Sequence, residues 1–266
     1  MRFHALMLAA ALAAVMPASS FAADAALTAA VASSTRPAGD KARDGARHPA
    51  ASLAFWGLKP GQTVIEIAPG GGYWSEILAP YAKQTHGHYI GAMGKEGQKL
   101  PARFADAKTY GDVKYTVFSN SSGPLGPPGS ADLVLTARNI HDWMWTKGYA
   151  EKGMKDFYAV LKPGGILAVE DHRADPRPQI GDARDGYVAT ANIVKMAKDA
   201  GFVLEASSEI NANPKDTKDH PFGVWTLPPT RRSAPDGQPD NPNFDHRKYD
   251  AIGESDRMTL RFRKPA

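Results

Sequence analysis

The stretch "TVIEIAPGGGYWSEILAPY", residues 63–81, decides the fold. It opens with a short apolar strand pattern that contains one acid, Glu66, and continues into three consecutive glycines, Gly70, Gly71 and Gly72. After the glycines, apolar residues recur at the spacing of one helix face: Trp74, Ile77, Leu78 and Tyr81. The stretch therefore predicts a buried strand, a glycine bend and an amphipathic helix.

The same alternation of strand and helix continues along the chain. Six further strands are predicted at 87–93, 112–118, 131–137, 165–171, 202–210 and 257–264. Helical stripes separate several of them, and the valine- and leucine-rich run at 131–137 suits a fully buried parallel strand. No helix pattern separates the last two strands, which indicates an antiparallel arrangement at one edge. We therefore expect an α/β fold with a doubly wound, mostly parallel seven-stranded sheet and an antiparallel edge strand.

Composition limits the classes of function. The chain has 266 residues, of which 42% are hydrophobic, enough for one large core or at most two small ones. The formal net charge is +4, and no basic block occurs, so nucleic-acid binding is not expected. The chain has no cysteine, which excludes disulfides, thiol nucleophiles and thiolate metal sites.

The N-terminus has the pattern of an export signal. Arg2 precedes the apolar run "ALMLAAALAAV", and "SSFAADA" offers small residues for cleavage after Ala22, or alternatively after Ala23. The apolar run is shorter than the ~20 residues that span a bilayer. We expect residues 1–22 to be removed, leaving a soluble periplasmic protein with no stable membrane insertion.

The remainder divides into three parts. Residues 23–47 are rich in Ala, Ser, Thr and Pro without sustained periodicity, and we expect a flexible N-terminal segment. Residues 48–266 form the predicted α/β domain. Within it, residues 211–256 are dense in Pro, Asp, Asn and Gly with scattered aromatics, which indicates a long, partly ordered loop over the domain.

The glycine bend predicts a ligand site. In an open parallel sheet, ligands bind beyond the carboxyl ends of the strands, where glycines let a ligand approach the backbone. The dinucleotide pattern Gly-x-Gly-x-x-Gly is not met, because Ser75 stands at its third position and no acid ends the second strand. A nicotinamide cofactor is therefore not favoured, and a tight turn without a ligand is the alternative.

Four segments in their order, "TVIEIAPGGGYWSEILAPY", "ADLVLTARNIHDW", "LKPGGILAVEDHRA" and "LRFRKP", resemble class I S-adenosylmethionine-dependent methyltransferases, in particular a group of exported predicted methyltransferases of bacteria. The resemblance covers about residues 48–265. It implies S-adenosyl-L-methionine as the cofactor and a Rossmann-like fold. It also implies a set of cofactor-binding residues: Glu66, Ala68, Pro69, Gly70, Gly72, Met93 and Asn139.

Candidate catalytic residues follow the fourth and fifth predicted strands. His141 is the first candidate for a general base, because an unperturbed imidazole is mostly neutral at pH 7, and His172 is the second. The alternative for both is a structural role in satisfying loop amides or capping a helix. A metal site of His141, Asp142, Asp171 and His172 is not predicted, because adjacent residues on strand-like backbone point to opposite sides.

These features predict a methyltransferase that acts on an unknown small molecule or envelope component in the periplasm. Two alternatives remain open. The chain could be a non-catalytic binding protein that keeps the fold and pocket, or an interaction protein whose 211–256 loop contacts a partner.

Overall fold

A computed structural model describes residues 24–176, 178–179 and 181–266 of the chain. The predicted signal peptide and both cleavage sites before Asp24 lie outside these residues. Within the described ranges, no helix has both the length and the apolar character needed to cross a membrane.

A single seven-stranded sheet organises the molecule. Its strands lie in the order β3-β2-β1-β4-β5-β8-β6. The bounds are β1 (Thr63–Ile67), β2 (His88–Met93), β3 (Lys114–Val117), β4 (Ala131–Ala137), β5 (Leu161–His172), β6 (Val203–Ser208) and β8 (Arg257–Arg263). A short strand outside this sheet, β7, spans Pro221–Val224.

The predicted fold class is confirmed. Strands β1 to β5 pair in parallel, and β8 pairs antiparallel with both β5 and β6. The antiparallel strand β8 therefore lies one position in from the edge, with β6 outside it. Because the strand order reverses between β1 and β4, the loops after these two strands diverge and leave a crevice at their carboxyl ends.

The helices follow the predicted alternation. Their bounds are α1 (Ala25–Ala32), α2 (Ala38–Lys41), α3 (Asp44–Arg47), α4 (Pro49–Phe55), α5 (Ser75–Gln84), α6 (Ala107–Tyr110), α7 (Ile140–Trp143), α8 (Tyr149–Val160), α9 (Thr190–Asp199) and α10 (Arg247–Ile252), with a short 3-10 helix at Ala102–Ala105. Helix α5 carries the apolar stripe that follows the glycine bend, and α8 and α9 carry the other stripes.

Successive side chains of the central strands point to opposite faces of the sheet, so the core is divided into two clusters, one on each face. Val134 of β4 packs into a cluster with α8 and α9. Its neighbours Leu133 and Leu135 pack into a second cluster with α4 and α5. Both faces of β4 are therefore covered, as the continuous apolar run of a parallel strand requires.

The N-terminal segment is more regular than the sequence predicted. Residues 23–47 were expected to be flexible; their described part, from Asp24 onward, contains α1, α2 and α3, and α1 packs against α5. Asp24 caps α1 by accepting hydrogen bonds from two of its amides. Arg47 at the end of α3 is 1% exposed and reaches an ion-pair partner at Glu254, far along the chain. A local composition rule missed this order because tertiary partners provide it.

The 211–256 loop is partly regular, as expected. It contains β7 and α10 and packs Trp225 near the ends of β4 and β5, where the ring lies 5.8 Å from His141. Tyr187 and His220 both contact the buried carboxylate of Asp216, which ties the loop to the domain. The loop therefore forms one wall of the crevice.

Candidate active site

The glycine bend forms the first wall of the site. After β1 the backbone enters the left-handed region at Ala68 (φ 46°), Gly70 (φ 57°) and Gly72 (φ 94°). Ala68 carries the strain of a side chain in this region. A Cβ atom built on Gly70 would meet no protein atom within 4 Å, so open space lies before this backbone.

A cavity of about 180 Å³ opens in front of this bend. Five of the predicted cofactor residues line it: Glu66, Ala68, Pro69, Gly70 and Asn139. The cavity is also lined by Arg43, Arg47, Tyr73 and Arg138, which the sequence analysis did not assign to it. We call it the first cavity.

Gly72 and Met93 do not line the first cavity. A Cβ atom on Gly72 would lie 2.7 Å from the ring of Phe104, so packing by itself favours glycine at this position. Met93 is 4% exposed and pairs with Val117 of β3 at the end of β2. The nearest following carboxylate, Glu96, is exposed. The structure thus places neither residue at the first cavity, and their role in cofactor binding stays a prediction.

Glu66 is a buried acid at the carboxyl end of β1. The hydroxyls of Ser75 and Tyr89 each lie 2.7 Å from its Oε2, where they donate hydrogen bonds. Burial raises the pKa of Glu66 to about 7, and the two hydrogen bonds offset only part of this rise. Near neutral pH this group is therefore poised between its charged and neutral forms.

Asn139 links the strands that border the crevice. Its Nδ2 donates to the carbonyl oxygen of Ile67 at 3.1 Å and lies 3.3 Å from the Thr136 hydroxyl. Asn139 also precedes the first residue of α7. Its position beside the first cavity agrees with the sequence analysis, and its amide group also has this structural role.

Two arginines of the N-terminal helices face the first cavity. The guanidinium of Arg47 stacks on the ring of Tyr73 at 4.4 Å, and its Nε donates to both carboxylate oxygens of Glu254. Its two terminal nitrogens are buried without a partner among the described residues. Arg43 contacts the same tyrosine ring and pairs with Asp40. Sequence reasoning missed both arginines because no local pattern marks them.

His141 and Asp171 form a buried dyad beyond β4 and β5. His141 Nδ1 lies 2.7 Å from Asp171 Oδ1. Since a carboxylate only accepts, Nδ1 carries the proton, and Nε2 is the free nitrogen of the neutral ring. Burial lowers the pKa of His141, but the Asp171 carboxylate outweighs it and the net pKa is raised above 6.5.

His172 lies beside the dyad in a different electrostatic state. Its ring centroid is 4.9 Å from that of His141, and its Nδ1 lies 2.5 Å from the Ser255 hydroxyl. Burial lowers the pKa of His172 well below 6.5, and the charges of His141 and Arg138 lower it further. His172 is therefore neutral at pH 7 and is poorly suited to take up a proton.

A second cavity of about 190 Å³ lies in front of these histidines. Residues of the segment after β4, including α7, the end of β5 and the 211–256 loop line it: Arg138, His141, Asp142, His172, Val224, Trp225, Pro228, Pro229, Thr230, Glu254 and Ser255. We call it the second cavity. Arg138 lines both cavities, so the two spaces meet at its side chain.

The histidines and Asp171 approach each other more closely than the sequence analysis expected. Ligand atoms of His141, Asp171 and His172 all lie within 4.8 Å of one another, although residues 171 and 172 are adjacent on β5. Asp171 already accepts from the amides of Ile140, His141 and His172 and from His141 Nδ1. These four bonds use the acceptor capacity of its carboxylate, so the geometry favours an oriented base over a metal ligand.

A buried chain of ion pairs supports this region. Glu254 contacts Arg47 at 2.9 Å and Arg257 at 2.8 Å. Arg257 also lies 3.0 Å from Glu170, which follows Val169 in β5. These ion pairs join α3, the 211–256 loop, β8 and β5. Glu170 therefore has a supporting role and lines neither cavity.

Comparison with known proteins relates the chain to methyltransferases. No family model matches. A ubiquinone/menaquinone biosynthesis C-methyltransferase from Hydrogenovibrio crunogenus is 26% identical over 152 residues, which cover 55% of this chain and 56% of that protein. An uncharacterized methyltransferase from Bacillus subtilis is 30% identical over 125 residues, covering 46% and 64%. The matched part of the chain thus spans less than two thirds of the length of each of these relatives.

Solved structures share the fold. A Burkholderia thailandensis 1,6-didemethyltoxoflavin-N1-methyltransferase, solved with its substrate and S-adenosylhomocysteine, aligns with a TM-score of 0.51 at 12% identity. The alignment covers 83% of this chain and 77% of that one. At this identity the likeness establishes the fold alone.

Proposed function

We propose that this chain, which matches methyltransferases in sequence and has their class I fold, is itself an S-adenosylmethionine-dependent methyltransferase of the bacterial periplasm. The observation that carries the proposal is a buried His141–Asp171 dyad facing a cavity that meets the glycine-bend cavity at Arg138. The substrate class is a small molecule or an envelope component.

The first cavity fits the amino-acid end of the cofactor. Arg43 and Arg47 supply positive charge for a carboxylate, and the unpartnered terminal nitrogens of Arg47 are available donors. Glu66 supplies a carboxylate for an ammonium group. The open backbone at Gly70 permits close approach of a ligand.

The dyad supplies proton transfer. When bound, the cofactor presents a methyl group on a sulfonium sulfur, and that sulfur keeps the bonding electron pair as the substrate's nucleophile takes the methyl group. His141 Nε2 accepts the proton that the nucleophile loses, while Asp171 holds the ring in the correct tautomer. Asp142 Oδ1, 3.4 Å from Nε2, stabilises the protonated ring.

The periplasmic location rests on the leader. Arg2, the apolar run and the small residues before Asp24 support export and cleavage. Mass spectrometry of the protein purified from a periplasmic fraction should find a mature N-terminus at Ala23 or Asp24. An intact Met1 on all of the protein would contradict export.

One observation favours a binding protein without catalysis as a second candidate. The end of β2 offers Met93 rather than an acid for the ribose hydroxyls, and Glu96 is exposed. Losing a charge-assisted hydrogen bond lowers affinity by about tenfold to a hundredfold. The fold and the first cavity would then serve another ligand.

Calorimetric titration with S-adenosylmethionine and S-adenosylhomocysteine tests the proposal. Both should bind to the wild-type protein, and Glu66→Ala should weaken both by about tenfold or more. Glu151→Ala, at an exposed position on α8, is the matched control and should bind normally. Absence of heat at millimolar ligand from a folded sample would rule out use of this cofactor.

Turnover separates the two candidates. Incubation of the protein and S-adenosylmethionine with extracted envelope small molecules should form S-adenosylhomocysteine. His141→Ala should abolish this turnover while leaving cofactor binding unchanged. Binding without turnover in any extract would favour the non-catalytic candidate.

A further inference from the structure

Arg138 is a charged side chain without a partner at the centre of the site. It directly follows β4, and its backbone is held at φ 60° with its N–H donating to the carbonyl oxygen of Glu170 at 2.8 Å. Among the residues that the structure describes, its guanidinium makes no ion pair or hydrogen bond. Its Nε is buried without an acceptor.

Two buried acids, Glu170 and Glu254, already contact other arginines, although neither carboxylate oxygen of Glu170 has a hydrogen-bond partner among the described residues. Glu254 contacts Arg47 and Arg257, and Glu170 contacts Arg257. Three guanidinium groups, counting Arg138, thus share two buried carboxylates. Among these five side chains one positive charge is in excess, and Arg138 is the arginine that lines both cavities. Asp142, the other carboxylate at the second cavity, lies 3.4 Å from His141 Nε2. A buried cation is costly unless an anion joins it.

The protonation state of Arg138 keeps this charge in place. The pKa of Arg138 is lowered to about 10, chiefly by burial and also by the neighbouring charge of Arg47, while Glu170 and Glu254 offset part of this fall. The group therefore stays charged at neutral pH despite its enclosure.

The other residues of the second cavity define the size and the reacting end of its ligand. The cavity of about 190 Å³ corresponds to the volume of about six water molecules in the liquid. Trp225 contributes an aromatic wall 5.8 Å from the ring of His141, and His141 lines the same cavity. A small molecule held at Arg138 therefore lies beside the base.

We propose that the second cavity binds a small anionic substrate whose carboxylate or phosphate-like oxyanion pairs with Arg138 and whose nucleophilic end faces His141. The oxyanion site stands on the geometry and charge of the second cavity, whereas the term substrate rests on the proposed methyltransferase function. A guanidinium fork suits both planar and tetrahedral oxyanions because it donates two parallel hydrogen bonds.

The charge distribution distinguishes this role from holding the cofactor's carboxylate. Arg43 and Arg47 line the first cavity and not the second, and they supply cations where the cofactor is proposed to lie. Of these three arginines, Arg138 alone lines the second cavity. The anion at Arg138 is therefore assigned to the substrate.

Matched probes test the charge requirement. Ligand-detected NMR titrations of the full protein would compare acetate with neutral acetamide, and methanesulfonate with neutral dimethyl sulfone. Each pair has similar shape and differs in charge. We expect at least one anion to bind about tenfold more tightly than its neutral partner. The loss of a ligand-induced change in tryptophan fluorescence in Trp225→Phe is a second readout, because this ring lines the same cavity.

Three variants locate the site. Arg138→Met removes the charge, and Arg138→Gly does so in a residue that tolerates the positive φ, which guards against a folding defect. Arg232→Met is the matched control, because Arg232 lies over the Trp225 ring at 4.9 Å but lines neither cavity. Both Arg138 variants should lose the preference for anions, and Arg232→Met should keep it.

The outcomes also separate this inference from the proposed function. S-adenosylhomocysteine affinity should change less than about threefold in the Arg138 variants. Loss of that affinity with no change in anion preference would assign Arg138 to the cofactor and overturn the inference, as would equal anion binding by wild type and Arg138→Gly. If wild type binds the anion at Arg138 but not S-adenosylhomocysteine, the methyltransferase proposal fails and the oxyanion site stands.

Discussion

At the scale of single residues, the site depends on groups whose charge is set by burial. Glu66 and His172 are both driven toward their neutral forms by desolvation, whereas His141 is kept basic by Asp171. The pKa values of three titratable groups within one crevice are thus shifted differently, although all three groups are buried. The difference comes from whether an opposite charge is in contact.

Glu66 should make stability depend on pH. Its pKa is about 7 in the folded protein against a usual 4.5, so the folded state holds an extra proton between these values. The contribution of Glu66 to stability is therefore most favourable below about pH 4.5 and falls as the pH rises to about 7. Glu66→Gln should remove this loss and be more stable than wild type at pH 8, by roughly 1–3 kcal/mol.

Urea unfolding at pH 5 and pH 8 would measure this effect. The difference between the two proteins should shrink at pH 5, where the wild-type carboxyl is protonated. An equal difference at both values would contradict the raised pKa of Glu66.

Ala68 offers a test of backbone strain. Its φ of 46° is a conformation that glycine adopts freely. Ala68→Gly should therefore stabilise the protein by about 0.5–1 kcal/mol, as measured by thermal unfolding. Ala54→Gly, inside α4, is the control and should destabilise by about 1 kcal/mol. Loss of stability in Ala68→Gly would argue against strain at the bend.

The dyad should be visible in the titration of His141. Its ring faces Asp171, Asp142, Arg138 and His172, and the Asp171 carboxylate is the main cause of its raised pKa. In Asp171→Asn the pKa of His141 should fall below the wild-type value, followed by NMR of the ring protons. Asp142→Asn should lower it less, and an unchanged titration in Asp171→Asn would exclude the dyad.

At the scale of elements, α3 completes the site from a distance. Its last residue, Arg47, joins Glu254 and faces the first cavity. The 211–256 loop supplies Glu254, Ser255 and Trp225 from the other side. The N-terminal helices and the 211–256 loop have little regular pattern in their sequences. They nevertheless provide parts of the cavity walls that the sheet and its covering helices do not provide.

Removing the ion pair between Arg47 and Glu254 should lower the stability of the protein substantially. Arg47→Met leaves Glu254 with Arg257 as its remaining partner in a buried site, and we expect a loss of about 2–4 kcal/mol in the free energy of unfolding. Arg43→Met, at a more exposed pair with Asp40, should cost less than about 1 kcal/mol. Chemical denaturation of both variants measures the difference, and similar costs would refute the special role of Arg47.

At the scale of the whole molecule, the buried ion chain joins the N-terminal helices, the long loop and the sheet. Because these parts share partners, they should unfold together. Far-ultraviolet circular dichroism and tryptophan fluorescence should therefore give coincident transitions. An early fluorescence transition that is absent from Trp225→Phe would show instead that the loop carrying Trp225 unfolds separately.

The sequence by itself determined the sheet. Apolar runs of strand length and stripes of helical spacing depend on neighbours a few residues away, so β1, α5, β4 and α8 were predictable, and so was the glycine bend that lies between the first two. The same local signals placed Glu66, Gly70, His141 and His172 near strand ends. The role of Gly72 was not predictable in this way, because the ring that fills its missing side chain belongs to Phe104.

Only the tertiary structure decided which groups meet. Arg47 and Glu254 are 207 positions apart, and His141 and Asp171 are 30 apart, so no periodicity connects them. The order of residues 24–47 and the unpaired charge of Arg138 likewise depend on partners brought from other elements. Local spacing specifies strands and helices, whereas burial and pairing of charge are properties of the folded chain, and these properties define the two cavities.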